Sequence, residues 1–175
     1  MYYKEFGVQR EVTQSELEFF YIKTGEAIWQ LQFVEEDLCK FYIIICAHFN
    51  CCGIDKENAD IKLKQINKKT LGQLIGLLEK THKVPDSMLT DLKEFNELRK
   101  WVVHNSIREN GHDLYTDHGR ELFTLQVLKF TEMATTLHKN ITNILMVLVT
   151  KSGYATVESI LKTANAEIDR LKGNT

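Results

Sequence analysis

Pro85 is the only proline among 175 residues, and the nine glycines fall mostly at breaks between periodic segments. A turn-rich β fold uses more of both, so their scarcity favours long helices. Long apolar runs are also missing. The two most apolar stretches, Phe41 to Phe49 and Ile141 to Val149, fall far short of the roughly 20 residues that span a bilayer. The opening Met1-Tyr-Tyr-Lys-Glu-Phe lacks a basic-then-apolar leader pattern. A cytoplasmic protein with no membrane partner is therefore expected. Neither charge sign dominates, since the formal net charge is −2. That excludes a globally basic coat for nucleic acid, and any such site has to be a local patch.

Cysteine is sparse and confined. Cys39, Cys46, Cys51 and Cys52 share one short stretch, which excludes a disulfide framework joining distant parts of the chain. Cys39 and Cys46 stand one heptad apart and read as core thiols. Cys46, His48, Cys51 and Cys52 can be drawn as a zinc site. Adjacent cysteines rarely serve one tetrahedral ion, however, and the chain has no Cys-x-x-Cys pair. No metal and no cofactor are expected.

What is present is helical periodicity, in a length that suits one helical domain over residues 1–175. Thr13-Gln-Ser-Glu16 matches a capping box. The helix after it should run to about Phe49, with Leu17, Phe20, Thr24, Ala27, Leu31, Val34, Leu38, Phe41 and Ile45 inward. Asn50-Cys-Cys-Gly53 ends it. Residues 54–69 carry Lys56, Lys62, Lys64, Lys68 and Lys69. They read as a solvated loop with a short helix, or alternatively as a basic lip beside a polyanion site. Thr70 should cap a short helix that Pro85 closes off. The next helix should run from Asp86 or Ser87 to about Arg108, followed by a loop over Glu109 to Asp113. A second long helix from about Asp117 should bury Phe123, Val127, Phe130, Ala134, Leu137, Ile141, Ile144 and Leu148. Ser152-Gly153 interrupts it, and a last helix carries Val157, Leu161, Ala164, Ile168 and Leu171. No segment of useful length alternates with period two. The expected fold is all-α, a mostly antiparallel bundle of about five helices. Phe41 to Ile45 and Leu145 to Val149 are apolar on nearly all sides, which suits the middle of a bundle or a dimer interface.

One helix carries a misplaced charge. On a wheel of about 100° per residue, Met88, Leu92, Phe95, Val102 and Val103 share a side, and Arg99 lies in its middle. A charge there must be paired, must snorkel, or must face something other than core. His104 follows five residues later, about 140° round an ideal helix, so the two side chains converge only if one is extended or the helix end loosens. Arginine holds a phosphate through paired charge-assisted bonds. Histidine moves protons near neutral pH. RNA brings its own 2′-hydroxyl nucleophile, so this pair suffices for cleavage in principle. The plainer reading is an ion pair of Arg99 with Glu26 or Glu35, and a surface histidine. A further constellation, His112, Asp113, Asp117 and His118, could form a metal or second catalytic cluster, although polar residues are expected there anyway.

Thr70-Leu-Gly-Gln-Leu-Ile-Gly-Leu-Leu, a broken polar stretch, and then Leu92-Lys-Glu-Phe-Asn-Glu-Leu-Arg-Lys-Trp-Val-Val-His-Asn105 resemble the HEPN superfamily over about residues 70 to 106. The resemblance implies a HEPN-like helical domain that dimerises, with an Arg-x4–6-His motif near a helix end. Many members are metal-independent endoribonucleases of toxin–antitoxin or phage-defence systems, and others are non-catalytic dimerisation or nucleotide-binding modules. Carried onto this chain, Arg99 would hold the scissile phosphate and His104 would act as general acid or base. RNA would be the substrate, a second copy and possibly an antitoxin protein the partners, and a 2′,3′-cyclic phosphate with a 5′-hydroxyl the products. Lys100, Asn105 and Arg108 would contact the RNA. The chain departs from the family at Lys100, where active members often carry Asn, Asp or His. It departs again at Ser106, where the subfamily paired with nucleotidyltransferase antitoxins has tyrosine.

Overall fold

Thr13 caps the first long helix with both halves of a capping box, the Glu16 carboxylate answering the Thr13 backbone N–H. This is a computed structural model, and it describes residues 9–55, 57–151, 153 and 155–173, without the Glu167 side chain. Helix α1 runs Gln14–His48, α2 Ala59–Ile66, α3 Leu71–Thr81 and α4 Asp86–Lys100. A π turn, Trp101–Asn105, carries α4 straight into α5, Ser106–Asn110. After a 3₁₀ turn at Asp113–Tyr115 come α6, Asp117–Lys151, and α7, Val157–Leu171. No strand occurs among the described residues. No helix among them is long and apolar enough to cross a membrane.

The inward stripes of the long helices follow the predicted periodicity, except that Leu17, Thr24, Ile144 and Leu148 are only half-buried. Phe20, Ala27, Leu31, Val34, Leu38, Phe41 and Ile45 of α1 are buried, as are Phe123, Val127, Phe130, Ala134, Leu137 and Ile141 of α6. Phe41 to Ile45 is central in the bundle, whereas Leu145 to Val149 is only half-covered. Residues 54–69 hold the short helix that the sequence predicts. Helix α2 packs on α1 and is pinned by buried Ile54 and Ile66, while Lys64, Lys68 and Lys69 face solvent. Lys56 lies outside the described residues.

Direction is where the long helices differ from a simple hairpin. Phe20 meets Phe123 with ring centroids 5.4 Å apart, and Asp37 meets His138 at 2.5 Å. Both numbers rise together, so α1 and α6 run parallel. Parallel neighbours need a long crossover, and α2 to α5 supply it by returning the chain to the end at which α1 began. The antiparallel pairs lie inside that crossover and against it. Glu79 pairs with Lys93 between α3 and α4, and Glu94 with Lys129 between α4 and α6. Phe95 stacks on Phe130 at 4.8 Å with the rings 6° apart, at the centre of the core.

Helix α7 corrects the expectation that every helix packs into the bundle. None of its described residues is buried, and Val157, Leu161, Ile168 and Leu171 stay exposed. The buried part of α6 ends at Ile141 and that of α1 at Cys46, both well before the start of α7. The break before α7 was expected at Ser152-Gly153. Ser152 lies outside the described residues, and Gly153 is in a left-handed turn, φ 68°.

Candidate active site

The ridge of α4 and its continuation reads Met88, Leu92, Phe95, Arg99, Val102, Ser106, spaced alternately by four and three. Every member but Arg99 is buried. Val103, expected on this face, flanks the ridge and is exposed, as is Ile107 four residues on. Arg99 snorkels out of the ridge towards α1, where its Nε stands 3.8 Å from Glu35 Oε1. That contact is long, where a well-formed arginine–carboxylate pair makes two short bonds. Arg99 Nε is itself buried, with no hydrogen-bond partner among the described residues. On the other side of the contact, burial pushes the Glu35 carboxyl above its ordinary range, and the Arg99 charge only partly offsets this.

His104 lies within the π turn. There the Ser106 N–H reaches back five residues to the Trp101 carbonyl, instead of the four of an α-helix. A turn holding an extra residue advances less per residue, roughly 80° against 100°, and narrows the angle between Arg99 and His104 from about 140° to about 90°. The helix end is loosened here, while Arg99 is directed at Glu35 on α1 and His104 at solvent. Buried Ser106 braces the turn by donating to the Val102 carbonyl at 3.0 Å, and Trp101 Nε1 donates to Asn110 Oδ1 at 3.0 Å. His104 faces solvent.

The expected RNA contacts fare differently. Lys100 is exposed but its ammonium is taken by Glu97 at 2.6 Å. Arg108 and Asn105 are brought together, the guanidinium donating to Asn105 Oδ1 at 2.9 Å, with Glu109 3.9 Å away. Ser106 and Ile107 then form one wall of an apolar groove of about 480 Å³, whose other wall is α1 at Leu17, Tyr21, Ile28 and Trp29. Tyr21 and Trp29 are each 70 % exposed.

Comparison with protein-family models, with curated proteins and with solved structures finds no match to this chain.

The cluster drawn from His112, Asp113, Asp117 and His118 does not assemble. Asp113 accepts from Asn110 Nδ2, and Asp117 pairs with Arg120 and Arg10. Arg120 is buried. It donates to the Leu114 carbonyl at 2.6 Å and meets Glu16 at 3.2 Å, tying the start of α6 to the start of α1. Hydrogen bonds from Arg10 first, then Thr13, hold the Glu16 carboxyl well below the usual range. Sequence reasoning missed this network, because Arg120 belongs to no motif and its partners are remote in sequence.

The cysteines also differ from expectation. Cys39 and Cys46 are buried, as core thiols should be. Among the described residues, one set of three metal-ligating side chains has its ligand atoms within 4.8 Å of one another, namely Cys46, Cys51 and Cys52. The adjacency of Cys51 and Cys52 does not keep them apart, since their Sγ atoms are 3.7 Å from each other. His48, drawn into the set from the sequence, is not a member.

Proposed function

We propose that the chain is a HEPN-type endoribonuclease that cleaves RNA without metal at a cleft between two copies. One observation carries the reading. Arg99 breaks an otherwise buried ridge, keeps a buried Nε without a hydrogen-bond partner among the described residues, and is followed directly by the π turn that holds His104 in solvent. Such turns are uncommon and concentrate at functional sites. An arginine with unused donors beside an exposed histidine is equipped to hold a phosphodiester and move a proton.

The step balances with these groups alone. The 2′-hydroxyl oxygen attacks phosphorus while one His104 takes its proton. The P–O5′ bond breaks, and His104 of the partner subunit gives a proton to the departing 5′-oxygen. Arg99 offsets the charge gathering on the phosphoryl oxygens. A second copy also accounts for the exposed Tyr21, Ile22 and Trp29 beside the groove, an apolar surface that water does not favour. Asn105 and Arg108, already joined, stand ready to contact the RNA backbone. Lys100 joins them on release from Glu97. A toxin–antitoxin or phage-defence role, with an antitoxin as a further partner, follows from the family resemblance.

The Glu35 contact favours a second reading, a non-catalytic dimerisation or nucleotide-binding module. In that case the carboxylate 3.8 Å from Arg99 is its permanent partner. The readings separate in one assay of RNA cleavage in EDTA, with far-UV circular dichroism in the same buffer. The nuclease loses about 100-fold or more of its rate in Arg99→Ala and in His104→Ala, with helicity kept. Cleavage that persists in both variants overturns it. A wild-type chain that cleaves no RNA selects the module.

A further inference from the structure

The end of α1 is built as a Schellman motif. Asn50 takes the left-handed conformation, φ 49°, just past the C-cap Phe49. The Cys51 N–H reaches the Cys46 carbonyl at 2.9 Å, and the Asn50 N–H reaches the Ala47 carbonyl at 3.3 Å. These are the six-to-one and five-to-two bonds of that motif, and they fold residue 51 back over residue 46. Cys52 is left-handed in turn, φ 62°, which a side-chain-bearing residue adopts only at a cost. Together the two turns bring the three sulfur atoms to one point.

From this geometry we infer that Cys46, Cys51 and Cys52 form a trithiolate site for a single thiophilic divalent ion, zinc in the first instance. Zinc–sulfur bonds of about 2.3 Å at tetrahedral angles separate two ligand sulfurs by about 3.8 Å. Cys51 and Cys52 already stand at 3.7 Å, and Cys46 completes a triangle with no edge beyond 4.8 Å. Burial grades across the set, from Cys46 inside to Cys52 at the surface. An ion therefore enters from the Cys52 side and keeps its fourth position towards solvent, for water or an external ligand. Three thiolates and a divalent ion carry one net negative charge. A cation stands near the turn, the Lys83 ammonium 5.1 Å from the ring centroid of Phe49. Soft thiolate donors select against magnesium and calcium.

The site belongs to the turn between α1 and α2 and is independent of Arg99 and His104. Its test uses the reduced full chain, stripped of metal and titrated with cobalt(II), then displaced with zinc(II). We expect one equivalent of cobalt, with sulfur-to-cobalt charge-transfer absorption and tetrahedral ligand-field bands that zinc abolishes. Both signals are lost in the Cys51→Ser/Cys52→Ser variant, whose substitutions spare the buried Cys46, and are kept in His104→Ala. Sub-stoichiometric uptake, or bands that survive in the double variant, overturn the inference. So does a disulfide within the set that forms in air when the reduced chain takes up no cobalt.

Discussion

Glu35 shows how one residue couples the candidate site to stability. Its folded carboxyl titrates above the ordinary range because burial outweighs the charge of Arg99. The folded state therefore binds this proton more tightly than the unfolded chain does. The resulting stability is fully present below about pH 4.3 and is lost as pH rises through the folded pKa. Urea midpoints measured from pH 4 to pH 7 should accordingly show Glu35→Gln gaining on the wild type as pH rises. Arg99→Ala, which removes the guanidinium charge that partly offsets burial at this group, should move the Glu35 carboxyl titration in an NMR experiment further up. A wild-type Glu35 titrating at or below the usual range contradicts both expectations. That Arg99 needed a partner was legible from the wheel, because a charge in an apolar ridge has few options. That the partner is Glu35 rather than Glu26 was not, since it depends on how α4 leans on α1.

At the scale of elements, helix ends are decided locally and were read with success. Thr13 caps its helix as the neighbouring Glu16 implies, Thr70 caps its helix with Gln73 completing a second capping box, and Pro85 separates α3 from α4. The π turn was not legible, because an inserted residue leaves the hydrophobic spacing of Phe95, Val102 and Ser106 almost unchanged. Glycines divide by what surrounds them. A Cβ on Gly119 would stand 2.0 Å from the Asp113 carbonyl oxygen, and one on Gly25 would meet nothing within 4 Å. The Asp113 oxygen is backbone and cannot rotate away. Gly119→Ala should therefore cost about 2–4 kcal/mol through displacement of the first turn of α6. Gly25→Ala, in mid-helix and exposed, should add about 0.5–1 kcal/mol. Urea unfolding of the two variants reads both signs.

For the whole molecule, stability concentrates where α1, α4 and α6 meet and is almost absent from α7. Phe130 is fully buried and stacked on Phe95, so Phe130→Ala should cost about 3–5 kcal/mol. A chain ending after Thr156 loses no buried side chain among the described residues, and its denaturation midpoint should correspond to a change within about 1 kcal/mol. A large loss on removing α7 would show that its apolar stripe is covered in solution.

The amino-acid order alone determined the helices, their caps and most of their inward faces, because a 3.6-residue period and a capping side chain act over one or two turns. Only the tertiary structure decided that α1 and α6 run parallel and that Arg99 reaches Glu35. It also decided that three thiols meet past the end of α1 and that α7 finds no core to join. Each of these depends on which faces meet across many residues, or on left-handed turns that side-chain periodicity does not encode. The Arg99–His104 segment spans both levels: its residues stand in the sequence, and the turn that presents them is a property of the fold.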